Sequence, residues 1–206
     1  MATPSQSHAA VPYQNNKKLT VVNLLAGPGC GKSVLAARLF AEMSVKDYKV
    51  ELVHEAAKDF KWEDWEHIFP EQDYITAQQH RMIRRLVRHD IDYAVTDTSL
   101  ILACIYAPDW YPHTFHPFIL DIYSSYDNIN IVLERNPKLP YKQPGRNENK
   151  EEAIQKDREL VALLNRYHIP YHTVKAGKKA LKKVMKIIKK HHKAKQKVAA
   201  LLSTHI

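Results

Sequence analysis

The segment Ala26-Gly27-Pro28-Gly29-Cys30-Gly31-Lys32-Ser33 constrains this chain more than any other stretch of it. An apolar run, Leu19 to Leu25, leads into it, and Val34, Leu35, Leu39 and Met43 follow at helical spacing. This order predicts a strand, a tight loop and a helix. In that arrangement the loop N–H groups and the positive end of the helix converge on one point, where an anion is stabilised. The pattern Ala-x-x-x-x-Gly-Lys-Ser fits a phosphate-binding loop with alanine in place of the opening glycine. Gly27, Gly29 and Gly31 allow close backbone approach and dihedrals closed to other residues. Gly27, Pro28, Gly29, Cys30, Gly31, Lys32, Ser33 and Val34 are therefore expected to cradle the phosphates of ATP. Lys32 would reach the β and γ phosphates, and the Ser33 hydroxyl would ligate Mg²⁺.

The rest of the chain alternates between strand-like and helix-like patterns. Strands are expected at Val50 to His54, Asp92 to Thr96, Ile129 to Leu133 and Tyr171 to Val174. Between them, Phe60 to Phe69 reads as a short aromatic helix and Tyr74 to Arg88 as a longer one. A Pro- and aromatic-rich connection from Tyr106 to Phe118 leads into a helix ending at Ser125, and a further helix runs from about Glu148 to Tyr167. The alternation predicts an α/β fold, a five-stranded parallel sheet with helices on both faces and a lid segment. The expected organisation is a disordered segment 1–17, a nucleotide-binding domain 18–176 with its lid at about 135–147, and a Lys-rich helix or tail at 177–206.

Phosphoryl transfer needs a metal ligand, a base and positive charge around the transferred group. In open parallel sheets these groups lie beyond the carboxyl ends of the strands. Asp97 closes the third strand and is a candidate for holding Mg²⁺ or for the base. Glu55 closes the second, beside the expected acceptor hydroxyl, with Asp59 a weaker substitute. Arg135, Lys138, Lys142 and Arg146, with Arg158 further on, are candidates to neutralise the phosphates from the lid; Arg135 and Arg146 are the two assigned a catalytic role. Arg81, Arg84, Arg85 and Arg88 are second-rank candidates for acceptor phosphates. The aromatic clusters around Trp62 and Trp110 read mainly as core or interface, with stacking on a nucleobase as the alternative. The histidines show no zinc-type spacing with cysteine.

The net charge of +9 is unevenly distributed. Eleven lysines lie between Lys175 and Lys197 with no acidic residue from there to Ile206, so residues 1–174 carry a net −2. Leu181, Val184, Met185 and Ile188 give this segment one apolar helical stripe. It reads either as a closing helix with a solvated face or as an electrostatic arm for nucleic acid. Two isolated cysteines, Cys30 and Cys104, suit a reducing compartment. No run approaches a membrane span, and the first ten residues lack a signal-peptide layout. A cytoplasmic protein without membrane attachment is expected.

Taken together, Ala26 to Ser33, His54 to Phe60, Gln78-Gln79, Thr96-Asp97-Thr98-Ser99, Tyr126-Asp127 and Pro144-Gly145-Arg146 resemble small P-loop nucleoside and nucleotide kinases. More narrowly, the chain resembles phage-type kinases related to the ribosylnicotinamide kinases, and among them the 5-hydroxymethyluracil DNA kinases. The resemblance spans residues 19 to 175. It implies ATP and Mg²⁺ as cofactors, a base hydroxymethyl group in DNA as acceptor, and a phage protein working in its host's cytoplasm. The Lys-rich tail would then contact DNA containing 5-hydroxymethyluracil. Pro144-Gly145-Arg146 departs from the Asp-Gly-x-Arg lid of the ribosylnicotinamide kinases. A kinase of a free nucleoside, nucleotide or ribosylnicotinamide is the alternative, and a non-enzymatic ATP-binding switch is the second. Glu55 and Asp97 both remain open as the base, and the sequence does not fix the oligomeric state.

Overall fold

In the computed structural model, which describes residues 18–137, 141 and 148–203, five parallel strands form one sheet. They are β1 (Thr20–Leu25), β2 (Val50–Val53), β3 (Tyr93–Thr96), β4 (Asp127–Glu134) and β5 (His172–Lys175), in the order β2-β3-β1-β4-β5. Every residue of β1 is buried, as expected for the central strand of a sheet covered on both faces. Thr20, Tyr93, Asp127 and Val50 stand in one register row at the amino edge. The chain leaves β1 to build β2 and β3 on one side and returns to build β4 and β5 on the other. The loop after β1 therefore lies at the point where strand order reverses, which is where ligands bind in such sheets.

Side-chain alternation splits the core in two. Val22 and Leu24 of β1, with Ile131 and Leu133 of β4, face α1 (Lys32–Val45) and α7 (Ala180–Ser203). Val21 and Leu25 face the opposite layer, which contains α3 (Gln72–Arg84), α4 (Ala103–Tyr106), α5 (Phe115–Ser124) and α6 (Lys150–Arg166). Asn23 is 2% exposed on that side, and its Nδ2 donates to Asn128 Oδ1 at 2.9 Å and Asn130 Oδ1 at 3.1 Å. Tyr123 Oη donates to the same Asn130 Oδ1 at 2.8 Å, so the buried amides of Asn23 and Asn130 have partners. α6 starts with a capping box in which Asn149 accepts from Glu152 N and Glu152 accepts from Asn149 N.

Local structure departs from the sequence reading in places. The aromatic segment is not one helix over 60–69. Instead α2 (Ala56–Trp62) starts directly after Glu55, the chain turns through Asp64 at φ 58°, and a short 3₁₀ turn follows at Glu66–Ile68. Phe60, Trp65 and Tyr74 pack together there, so tertiary contact rather than helical period sets the pattern. α3 begins at Gln72, and its continuation to Arg88 tightens to 3₁₀ from Arg85. α5 begins at Phe115, inside the stretch read as connection; Pro117 fits its first turn, where no intrahelical N–H bond is lost.

The Lys-rich segment is helical from Ala180 to Ser203 and packed onto the sheet through Ala180, Val184, Met185 and Ile188. Its far half crosses the amino edge of the sheet. Lys195 Nζ donates to Asp127 Oδ2 at 2.9 Å and Thr20 Oγ1 at 3.0 Å, His191 contacts Asp127, and His192 contacts Tyr93 Oη. Among the described residues no helix is long and apolar enough to cross a membrane. Segment 1–17 and most of the expected lid, including Lys138, Lys142 and Arg146, lie outside the described residues.

Candidate active site

The β1–α1 loop has the backbone its glycines predict. Gly29 and Gly31 have φ of 77° and 89°, a region closed to most side chains, and Gly31 is the residue from which α1 starts. No side chain caps α1, and its first turn holds no acidic residue, so its positive end is left to a ligand. Gly27 answers a different need. A Cβ there would stand 2.2 Å from the carbonyl oxygen of Ala153 in α6. Lys32 Nζ donates to the carbonyls of Ala26 at 2.7 Å and Gly27 at 3.2 Å, which folds its ammonium over the loop. Ser33 and Val34 are exposed on the cavity side.

The loop forms one wall of a cavity of about 490 Å³. Glu55 and Asp97, following adjacent strands, form the wall next to it. Asp97 is 6% exposed, and its Oδ1 has no hydrogen-bond partner among the described residues; Ser99 Oγ is in the same condition. Two orphaned buried oxygens beside a phosphate-type loop suit a hard cation and its water shell. Thr96 Oγ1 donates to Thr98 O at 2.7 Å and accepts from Thr98 N at 3.2 Å, and this turn presents Asp97.

Burial pushes the Glu55 carboxyl up from its ordinary range. The charge of Lys32 opposes that shift, Asp97 and Glu148 add to it, and Lys58 opposes it. Tyr106 and Glu148 line the cavity beside it. Burial, the charges of Glu148 and Glu55 and a hydrogen bond with Glu148 raise the Tyr106 hydroxyl, which therefore keeps its proton. Across the cavity Lys58, Trp62, Phe69, Gln72 and Thr76 form the wall contributed by α2, α3 and the segment joining them. Gln79 ties this wall to β2: its Oε1 accepts from Ala56 N at 3.0 Å and its Nε2 donates to His54 O at 3.2 Å.

Other sequence candidates lie elsewhere. Arg135 does not extend toward the cavity. Its guanidinium is spent on Asp157 Oδ2 at 2.8 Å, Pro28 O at 2.9 Å and Ala153 O at 3.3 Å, and it braces the loop from behind. It directly follows β4, which sets it between α6 and the loop. Arg81, Arg84, Arg85 and Arg88 are exposed and do not line the cavity, nor does Asp59, which pairs with His54. Trp62 belongs to the cavity wall, whereas Tyr111 lines a separate groove. Cys30 is buried with Sγ 3.3 Å from Leu133 O, and burial together with the charge of Asp157 raises its thiol; burial pushes Cys104 up to about 12. Neither favours the reactive thiolate. Sequence reading missed Asp157, Tyr106 and Glu148. Asp157 lies 130 residues from its partner Gly27, and nothing in its helical surroundings marks it.

Compared with known proteins, residues 21–180 match the AAA_28 family, described as an AAA domain. The chain belongs to that family. This AAA domain matches no curated protein sequence. Its fold is similar to a thymidylate kinase from Ehrlichia chaffeensis, with TM-score 0.55, 12% identity, and coverage of 83% of this chain and 98% of that one. It is also similar to a shikimate kinase from Aquifex aeolicus, with TM-score 0.50, 12% identity, and coverage of 84% and 98%. At such identities the likeness is one of fold. It bears out the α/β reading of a P-loop architecture with parallel strands.

Proposed function

We propose that this AAA domain is an ATP-dependent phosphotransferase that moves the γ-phosphoryl group to an alcohol carried by a nucleoside-like acceptor. The observation that carries this reading is the pair Glu55 and Asp97, which opens onto the same cavity as Lys32 and Ser33. A fold that only held a nucleotide would have no need for a second, partly aromatic wall opposite two carboxylates. The fold shared with a thymidylate kinase and a shikimate kinase supports the reaction class.

In this mechanism the loop N–H groups and Lys32 hold the β and γ phosphates. Lys32 has a third N–H, beyond the two given to Ala26 and Gly27, that would donate to phosphate. Ser33 and Asp97 would hold Mg²⁺, which when bound spreads the charge of the phosphate oxygens. Glu55 takes the proton from the acceptor hydroxyl as that oxygen bonds to the γ-phosphorus. The bond from phosphorus to the β,γ-bridging oxygen breaks with its electron pair, and ADP leaves. A carboxyl raised above its ordinary range is a stronger base once ionised, which suits Glu55 to this step. Arg135 steadies the loop and touches no reacting atom.

The finer form of the proposal is that the acceptor is the hydroxymethyl group of 5-hydroxymethyluracil in DNA. A cavity of about 490 Å³ with Trp62 and Phe69 in its wall would take one extruded base. Transfer of labelled γ-phosphate to a panel of acceptors tests both levels. Label on the 5-hydroxymethyluracil duplex alone supports the finer form. Label only on a free nucleoside, nucleotide or ribosylnicotinamide removes DNA and keeps the kinase. ATP binding without transfer to any acceptor leaves the non-enzymatic switch and sinks the proposal.

A further inference from the structure

The helix α7 carries a charge pattern that its packing role does not use. Its apolar stripe is consumed by the core, since Val184 and Ile188 are fully buried against the sheet. On the opposite side Lys182, Lys186, Lys189, Lys193 and Lys197 form a crest, flanked by Lys183 and Lys190. At 3.6 residues per turn, these seven fall within an arc of about 120°. All seven are exposed, and none forms an ion pair with a described residue. Lys195 is the exception on this helix, because it is turned inward onto Asp127. At a rise of 1.5 Å per residue the crest is about 22 Å long.

We infer that this crest is a docking surface for the phosphate backbone of duplex DNA, read without regard to sequence. Like charges at i,i+4 destabilise a helix, and here they recur as Lys182/Lys186, Lys186/Lys190, Lys189/Lys193 and Lys193/Lys197. A duplex laid along a row of that length presents roughly 13 phosphates over its two strands, one per about 1.7 Å of axis, and those on the facing side lie against the crest. A lipid surface is the poorer fit, because a basic helix lies on a bilayer by burying its apolar face, and the core already occupies that face of α7. The crest also runs in the right direction. It starts beyond Ala180, just after the carboxyl end of β5, on the edge of the sheet that holds the phosphate loop, and it ends over the amino edge at Thr20. A duplex along it has one end at the carboxyl edge of the sheet, the edge onto which the cavity also opens. The choice of DNA rests on the finer form of the proposed function; the test uses DNA with no acceptor group, so that docking and transfer fail separately.

The experiment measures binding to a short unmodified duplex by fluorescence anisotropy across a KCl series. For the native chain log K falls linearly with log salt, by about 0.9 for each phosphate neutralised. A variant with Lys186→Gln, Lys189→Gln, Lys190→Gln and Lys193→Gln loses about 3 to 4 from the magnitude of that slope, and binds at least tenfold more weakly at low salt. Its thermal midpoint, no lower than that of the native chain because these side chains are exposed and their mutual repulsion is relieved, shows that it is folded. Substituting Arg81, Arg84, Arg85 and Arg88 on the opposite layer leaves the slope as it was. Absence of DNA binding by the native chain, an unchanged slope in the lysine variant, or a loss confined to the arginine variant overturns the inference. Binding to phosphatidylserine vesicles without binding to DNA overturns it as well.

Discussion

Asp157 Oδ1 accepts a hydrogen bond from Gly27 N at 2.5 Å while Oδ2 of the same carboxylate receives Arg135 Nε at 2.8 Å. One side chain of α6 thus joins the first glycine of the phosphate loop to the end of β4. The pair is largely shielded, with side chains 19% and 26% exposed. Removing one partner leaves the other charge without its counter-charge in a shielded place, at a cost of about 2 kcal/mol. Asp157→Asn and Arg135→Ala should each lower stability by about that amount in urea unfolding and raise the KM for ATP. A role of Arg135 at the transition state would instead lower kcat with KM unchanged, which a kinetic split distinguishes.

Lys32 and Asp97 should separate cleanly from such bracing residues. Lys32→Ala removes charge from the transferring phosphoryl group, and Asp97→Asn removes an anionic oxygen from the metal position. Each should cut kcat by roughly 100- to 1000-fold, the range for losing one electrostatic contact in the transition state. Asp97→Asn should also weaken the dependence of rate on Mg²⁺ concentration. Full activity in the Lys32→Ala protein would take the loop out of the mechanism.

Glu55 predicts the acid limb of the rate profile. Its proton is held to higher pH than the usual 4.5, so the ionised base is lost as pH falls through that raised value. The profile of kcat/KM, which reports the free enzyme, should therefore bend at a pH above 4.5. Glu55→Gln should abolish most turnover and remove the bend from the residual rate. A limb unchanged in the Glu55→Gln protein would transfer the role to another group.

Asp127 predicts how acid loosens the molecule. Burial alone would raise its carboxyl, but hydrogen bonds from Lys195 and Thr20 and the charges of Lys195 and His191 outweigh it and hold the group below its ordinary 3.8. Its contribution to stability is therefore complete above 3.8 and is lost as pH falls through the depressed folded value. Asp127→Asn should cost about 1 kcal/mol at neutral pH, seen by urea unfolding. The difference from the native chain should shrink as the pH is taken well below 3.8. Hydrogen exchange in the last turns of α7 should rise in the variant at neutral pH, because this carboxylate fastens them to the sheet.

Some of this was legible from the residues alone, because it depends on local pattern. A buried strand, glycines at positive φ and an apolar helical period are short-range properties, so β1, the loop and α1 could be read in order, and Glu55 and Asp97 followed as strand-end acids. The apolar stripe of α7 was legible for the same reason. Other features depend on residues far apart in the chain. The aromatic stretch after Glu55 breaks into α2 and a 3₁₀ turn because Phe60 packs on Trp65 and Tyr74, which its spacing did not reveal. Arg135 looked like a free phosphate ligand until α6 placed Asp157 beside it. The crest of α7 acquired its direction only when Lys195 turned inward to Asp127, 68 residues away. Sequence by itself determined the chemistry available here, a phosphate cradle, two strand-end carboxylates and a run of lysines. Tertiary structure decided which of those charges are spent on holding the fold and which face a ligand, because that is settled by long-range pairing and burial.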